Sequence, residues 1–491
     1  MHDGNAWTDI GTGQRIAGLD LLRGFALLGI LLVNVHQMFA PWDFANDPIA
    51  LTAEETGTFV HWSFIDSFVM SKFLTLFSLL FGVGFALQIA SLKAAHDGKY
   101  RLIYLRRIAF LGLLGLLHGL FLYGADVLTF YAVTAVFLLV FCELPARMLL
   151  FSGFALTLMV MFWVFALEWS DGLAALTLFT GFALILLTLW LFRNRRLATI
   201  ITGGGASLLL AASIYGATVS PTISEGKRWT QLQQAADAVR SQNEKTITLG
   251  EQEFKTPLSE TDRRTIETIP LNPVDSAKLT TTAFRDGPQS LTMEIRIRQF
   301  VTTQVAFVLF YFWRTLAIFM IGVGLVKWGL FRKDNRGLYL ATVRWGFGIG
   351  IPLSLLATYL KVVVATKVSA MNGVATLVHE ASVYPVAFAL AASVMLWSSS
   401  SRAKRLQTIL ASAGQMALTN YIGQSLVMIF LASGLGLYGT LSRVDLSFLA
   451  IIVFGTLALG SYLWLLRFRM GPLEWIWRYV TYLKRPEYKE K

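Results

Sequence analysis

The chain has 491 residues, 55% of them hydrophobic and only 15% charged, against roughly 25% charged in an ordinary soluble domain. That balance excludes a conventional soluble enzyme and puts lipid around most of the chain. The net charge of +12 implies no nucleic-acid partner, because Lys and Arg cluster between apolar segments, where membrane topology rules place them.

In chain order, the first apolar stretch is GLDLLRGFALLGILLVNVHQM, residues 18–38. It is long enough to span a bilayer, and neither a basic n-region nor a small-residue cleavage site accompanies it, so it reads as a retained signal-anchor helix. Further candidate spans fall near 64–91, 102–123, 126–142, 148–168, 173–192, 198–218, 303–328, 340–364, 374–397, 409–437 and 446–467. The expected fold class is an all-α polytopic integral membrane protein with about 10–12 transmembrane helices and one polar extracytoplasmic insertion. The units are a membrane bundle over 1–218 with about seven spans, an insertion over 219–300, a second bundle over 301–468 with about five spans, and an interfacial tail over 469–491. Segments 126–142, which is short, and 64–91, which carries Asp66 and Lys72 at its start, leave that count open.

The loops alternate in charge. KAAHDGKYRLIYLRR, RNRR, KWGLFRKDNR, SRAKR and the tail YLKRPEYKEK are basic, whereas PWDFANDPIALTAEE has four acids and no Lys or Arg. Positive-inside bias then puts both termini in the cytoplasm. The 219–300 segment, with 11 basic and 11 acidic residues, falls outside by alternation. WTQLQQAADAV within it reads as helical, while TPLSETDRR and IPLNPVDS read as turns, together a small, partly irregular cap. GPLEWIWRYVTYL interleaves Trp, Tyr and Arg and suits a helix lying at the cytoplasmic interface. The single cysteine, Cys142, can form no internal disulfide.

Charged groups at membrane depth cost several kcal/mol unless paired or hydrated, which makes each a functional candidate. Asp20 and Arg23 lie three apart on one face of the first span and suit a local ion pair. Arg23 and Asn34 are eleven apart, close to a whole number of turns, so they share a polar stripe that faces protein. That stripe can serve function or a hydrogen-bonded helix seam. His36 falls on another face near the outer surface, where a solvated interfacial histidine is the plainer alternative to substrate contact. In YLRRIAFLGLLGLLHGLFLYGADVLTFYAV, Arg106 and Arg107 open a span, His118 follows eleven residues after Arg107, and Asp126 comes after the YGAD turn. That turn can bring Asp126 beside His118, where a carboxylate orients an imidazole for general-base work. Asp126 also suits a helix cap, and His118 a satisfied buried position.

Weaker candidates for substrate contact are Asp66, Lys72, Tyr131, Asn420 and Gln424. Asn420 and Gln424 share a face of the span containing SAGQMALTNYIGQS, where interhelical hydrogen bonding is the commoner role. Gly82 and Gly84 in KFLTLFSLLFGVGFALQ permit close helix packing. No Walker loop, HExxH, zinc-spaced Cys/His set or nucleophile elbow is present, so neither ATP-driven transport nor a metal site has support.

The combination of LDLLRGFALLGILLVN, KFLTLFSLLFGVGF, RRIAFLGLLGLLHGL with GADVLTFYA, GQMALTNYIGQS and GPLEWIWRYVTY resembles the YeiB-like family of bacterial membrane proteins, domain-of-unknown-function family 418. Where that family usually has Gly-Asp-Ile-Leu, this chain has GADVL and keeps the acid as Asp126. The first helix is also similar to those of acyltransferase-3 enzymes and heparan N-acetyltransferases, through the Arg-Gly pair at Arg23–Gly24 and a polar residue eleven positions on. Here that residue is Asn34, as in the heparan enzymes, whereas acyltransferase-3 proteins have a histidine. The histidine that the heparan enzymes keep eleven residues further is Ala45 here. The resemblance implies a multi-pass protein of the bacterial inner membrane and a shared acyl-donor path.

Two functions follow as expectations. The first is an acyl-CoA-dependent O- or N-acyltransferase, with acetyl-CoA the simplest donor. Arg23, Arg106 and Arg107 would hold the donor's phosphates, His118 with Asp126 would take the acceptor's proton, and Asn34 would donate to the oxyanion. The Arg106–Arg107 pair also suits plain positive-inside anchoring. The acceptor, a small molecule, glycan or lipid at the outer side, is open, as are acyl chain length and assembly into a homo-oligomer. The alternative is a transporter or flippase for a polar small molecule or lipid headgroup, using Asp and His as a proton relay. No clear inverted repeat accompanies it. A membrane subunit without chemistry is the third reading.

Overall fold

The computed structural model describes residues 17–41, 56–96, 98–167, 247–249, 252–254, 281, 284–285, 289–307, 311–331, 335–364 and 372–487. The expected spans near 173–192 and 198–218, the acidic loop at 42–55 and most of the 219–300 cap, including WTQLQQAADAV, lie outside these residues. The described chain is helical apart from one antiparallel hairpin, β1 (Ile247–Leu249) with β2 (Gln252–Phe254), in which Ile247 faces Phe254 and Leu249 faces Gln252.

The helices are α1 (Ala17–Phe39), α2 (Thr56–Phe68), α3 (Lys72–Ala95), α4 (Tyr100–Phe121), α5 (Leu128–Phe141), α6 (Ala146–Leu167), α7 (Gln289–Ala306) and α8 (Phe312–Lys327). After these come α9 (Arg336–Tyr359), α10 (Asn372–Ser398), α11 (Lys404–Gln415), α12 (Ala417–Ile429), α13 (Arg443–Leu465) and α14 (Pro472–Tyr482). Among the described residues six helical stretches are long and apolar enough to cross a bilayer. They are Ala17–Phe39, Phe59–Ala95, Tyr100–Phe121, Arg336–Val362, Gly373–Ser398 and Arg443–Leu465. α11 and α12, bent by 86° at Met416, make a seventh if counted as one span, and α5 and α6 are shorter apolar helices. Exposed Leu, Ile and Phe side chains on mid-helix faces, such as Leu113 and Leu117 of α4 and Ile451 and Leu459 of α13, suit a lipid environment. This is an all-α polytopic membrane protein.

Two of the spans expected as continuous helices are broken. The 64–91 stretch divides at Val69–Ser71, where Ser71 takes a left-handed conformation (φ 64°) and Lys72 Nζ donates to the Asp66 carbonyl at 3.0 Å. The 409–437 stretch divides at Met416. Interrupted backbone is tolerated at membrane depth only where protein supplies the lost hydrogen bonds. At Met416 the supplier is Glu474 of α14. Its Oε1 accepts from Leu418 N (2.7 Å) and Thr419 N (3.0 Å), and its Oε2 accepts from the Thr419 hydroxyl, satisfying the first amides of α12.

Close crossings rest on glycine. A β-carbon on Gly24 would run into the Leu410 carbonyl, and one on Gly414 into the Asp20 carbonyl, so α1 and α11 touch backbone to backbone. Gly322 of α8 sits likewise against Leu79 of α3, where a β-carbon would lie 2.6 Å from the carbonyl. Small residues serve this purpose in membrane bundles, where dispersion rather than hydrophobicity holds helices together. α8 is buried along nearly its whole length, and it contacts α3, α5 and α6. The bundle has two ends. The starts of α1 and α4 lie at the first end with α14 and the Lys93–Glu143 ion pair; the ends of α1, α4 and α12 lie at the second.

Candidate functional site

The site is built at the second end by α4, the turn after it, and α12. His118 is three residues from the end of α4, and the chain then turns through Leu122–Val127 into α5. Asp126 Oδ2 accepts from Thr129 N at 2.8 Å, satisfying an amide in the first turn of α5. Its other oxygen, Oδ1, lies 2.9 Å from His118 Nδ1. The cap and the histidine partner are therefore one carboxylate in two roles. The Asp126 carbonyl accepts from Gln304 Nε2 of α7 at 2.7 Å, which fixes the turn from the opposite side.

His118 Nε2 faces Ser425 Oγ of α12 at 2.8 Å. In the tautomer whose Nδ1 donates to Asp126, Nε2 accepts the serine O–H. The serine's other acceptor, the Tyr421 carbonyl, is distant at 3.4 Å. His118 and Ser425 are each 2% exposed, and Asp126 is fully buried. The rings of Tyr421 and Tyr123 pack around the imidazole with centroids 5.0 and 6.3 Å away, and the Tyr123 hydroxyl donates to Gln37 Oε1 of α1. The arrangement of hydroxyl, imidazole and carboxylate is that of an activated nucleophile with an oriented base.

Ser425 was not among the sequence candidates, although its neighbour Gln424 was. GQSLV has no signature of its own, and only the 86° bend at Met416 aims that face of α12 at α4. Gln424 is also buried, and its Nε2 has no hydrogen-bond partner among the described residues. Asn420, by contrast, is fully engaged: its Nδ2 donates to the Ala413 carbonyl (3.0 Å) and Ser461 Oγ (2.8 Å), and its Oδ1 accepts from Ser461 (3.2 Å). That is the interhelical role. Tyr131 bonds Ser78 Oγ at 2.5 Å. Asn34 is half-buried, one turn before Gln37 on α1.

On the side of Tyr123, the surface opens into a cleft whose lining includes Gln37, Tyr123, Gly124, Arg296, Ser433 and Tyr438. Burial pushes the Tyr438 phenol above its ordinary pKa, partly offset by Arg296, so it stays a neutral donor at physiological pH. At the first end, Arg23 NH1 donates to Asp20 Oδ1 at 2.8 Å, the local pair the spacing implied. Arg107 stacks its guanidinium 3.4 Å from the Trp477 ring centroid, and the Trp477 indole donates to the Arg107 carbonyl. Arg106 differs: its Nε is buried without a hydrogen-bond partner among the described residues.

Asp66 and Lys72 belong to a second polar cluster, separate from the His118 hydrogen-bond network among the described residues. Asp66 binds Lys361 Nζ and the Thr358 hydroxyl, each at 2.8 Å, and Lys361 Nζ reaches His379 Nδ1 at 3.3 Å. One turn along α3, Thr75 accepts from Arg314, whose Nε pairs with Glu380 at 3.0 Å. Arg314, Lys361, His379 and Glu380 escaped the sequence reading, although each interrupts an apolar run as His118 does. His36 is buried rather than solvated. Its Nδ1 lies 2.9 Å from the Leu32 carbonyl and its Nε2 3.2 Å from that of Arg443, because α13 begins directly against the end of α1.

Fold and site together define a polytopic α-helical membrane protein with a serine–histidine–aspartate constellation buried in its bundle. Residues 325–484 match the family described as protein of unknown function (DUF418). The chain is 26% identical to the uncharacterized protein YxaH of Bacillus subtilis (strain 168), over 96% of this chain and 95% of that protein. It is 25% identical to the uncharacterized protein YeiB of Escherichia coli (strain K12), over 95% of this chain and 96% of that one. A shorter match, 37% identical over 29% of this chain and 39% of the relative, is to an uncharacterized 39.9 kDa protein from the amylase 3' region of Bacillus acidopullulyticus. No solved structure matches. Residues 325–484 thus carry the DUF418 match, and nearly the whole chain is similar to YxaH and YeiB.

Proposed function

We propose that the protein is a transmembrane acyltransferase that takes an acyl group from cytoplasmic acyl-CoA and delivers it to a hydroxyl or amine at the outer face. The observation that carries this reading is His118, held between the Asp126 carboxylate at 2.9 Å and a hydroxyl at 2.8 Å. A buried base aimed at a hydroxyl is what transfer to or through oxygen requires. Asn34, near the outer end of α1, is the oxyanion donor in this scheme.

The donor enters at the first end. In this reading the first end, where the basic residues gather, faces the cytoplasm across a bacterial inner membrane. Arg106, with its uncommitted Nε, is the phosphate holder best supported, with Arg23 and Arg107 beside it. From Arg107 to His118 is about 16 Å along α4 at the helical rise, a span suited to the extended pantetheine arm of CoA. The cleft at Gln37 and Tyr123 is then the acceptor's entrance.

The test is saturable binding of CoA and acetyl-CoA to detergent-purified protein, with the Arg106→Ala/Arg107→Ala variant alongside. Binding lost in the variant supports the scheme, and an intact protein that binds neither compound overturns it. The second cluster favours a transporter as the other reading, because Asp66, Lys361 and His379 meet where α2–α3 is broken and α9 ends in a π-helical turn (Leu360–Val364). Broken helices bearing ionisable groups are how transporters build substrate and ion sites. Solute flux into proteoliposomes without thioester consumption would select it.

A further inference from the structure

We infer that Ser425 carries the acyl group covalently, so that transfer proceeds in two displacements through an acyl-serine; the inference rests on the acyl-transfer reading. Its starting point is occupancy. His118 has one nitrogen on Asp126 and the other on Ser425 Oγ, and all three side chains are buried. An acceptor hydroxyl could use Nε2 as its base only by first displacing Ser425. The hydroxyl already in place for deprotonation is the serine's own.

In the first displacement Ser425 Oγ attacks the thioester carbonyl carbon while its proton passes to His118 Nε2. The C–S bond then breaks, and the departing sulfur takes that proton to leave as free CoA. In the second, the acceptor hydroxyl or amine gives its proton to Nε2 as it attacks the serine ester. The C–Oγ bond breaks and Oγ recovers the proton. Acyl-CoA and acceptor become CoA and acylated acceptor, with no other reactant. Asp126 holds the imidazolium through both steps.

Three further features fit. The Gln424 amide, on the residue next to Ser425, has a buried Nε2 with no partner among the described residues, a second donor, beside Asn34, for the oxyanion of either step. The site is closed to water by the tyrosines around the ring, as an ester intermediate needs. A covalent relay also lets donor and acceptor use the chemistry in turn from opposite ends, so the buried site never has to hold both.

The experiment uses full-length protein in detergent with two probes. The first is radiolabelled acetyl-CoA or palmitoyl-CoA, with acid quench and peptide mapping. The second is an alkyl fluorophosphonate, which phosphonylates an activated serine whatever the natural donor. The expected result is acyl and phosphonyl labels on Ser425, both absent from Ser425→Ala and reduced at least about 100-fold in His118→Ala. Ser425→Ala should keep wild-type acetyl-CoA binding, and Ser425→Cys should form a hydroxylamine-labile thioester. Wild-type CoA release that persists within about twofold in Ser425→Ala, or an acyl label on another residue, would overturn the inference and leave the acyltransferase reading standing. Phosphonylation of Ser425 without any acyl-CoA binding would instead leave an activated serine and remove the CoA donor. Absence of both labels overturns the covalent relay.

Discussion

Gly115 and Asp126 pack so closely that a β-carbon on the glycine would stand 2.8 Å from the Asp126 carboxylate and collide with the Thr129 amide. The absence of a side chain three residues before His118 is what lets the start of α5 lie against α4. Gly115→Ala should therefore move the carboxylate away from the imidazole. The expected outcome is a loss of CoA release of about 10-fold or more together with a lowered Tm. Equal activity in the two proteins would show that the contact can relax without cost.

The two oxygens of Asp126 can be separated by substitution. Asp126→Asn keeps one acceptor for Thr129 N, so folding should survive, but the amide cannot hold the imidazolium as a carboxylate does. Transfer should fall by roughly 10³-fold or more, by analogy with triads that lose their carboxylate. His118→Ala should abolish transfer while acyl-CoA binding remains, which isotope-labelled donor binding would check.

Arg106 and Arg107 adjoin in sequence but should differ in phenotype. Arg107→Ala removes the stack on Trp477, worth about 1 kcal/mol, and should loosen α14 and lower Tm. Arg106→Ala removes no hydrogen bond of its Nε among the described residues and should weaken acyl-CoA binding with little change in Tm. Paired thermal-shift and binding measurements distinguish them.

In the second cluster, Asp66→Asn leaves Lys361 beside His379 with its carboxylate partner gone. Breaking a buried ion pair from one side costs on the order of 3 kcal/mol. A marked drop in Tm is expected, with partial recovery in Asp66→Asn/Lys361→Met because the stranded charge is removed too. If the single variant were as stable as wild type, the cluster would have to be hydrated.

At the α1–α11 crossing, Gly24→Leu should prevent the approach to the Leu410 carbonyl and yield protein that aggregates on extraction. Gly84→Ala should be tolerated, since a β-carbon there would meet only Arg23 NH2 at 3.4 Å. Size-exclusion profiles in detergent report the difference. The Arg23–Gly24 pair is thus partly a packing device.

The sequence by itself determined the membrane class, the all-α architecture, most span positions and the pairing of Asp20 with Arg23 and His118 with Asp126. These features depend on lipid hydrophobicity and on spacing along one helix or across one short turn, and both are local. Tertiary structure alone decided that Ser425 completes the His118 site, that Lys361 and His379 meet Asp66, and that α1 touches α11 at Gly24 and Gly414. The breaks at Ser71 and Met416 belong with these. A hydropathy run cannot reveal that a helix bends, because the groups that satisfy the broken backbone, Glu474 for α12, come from the far end of the sequence. Contacts between residues 307 positions apart, as in His118 and Ser425, are set by how helices cross, and the crossing is fixed by which backbones can come close.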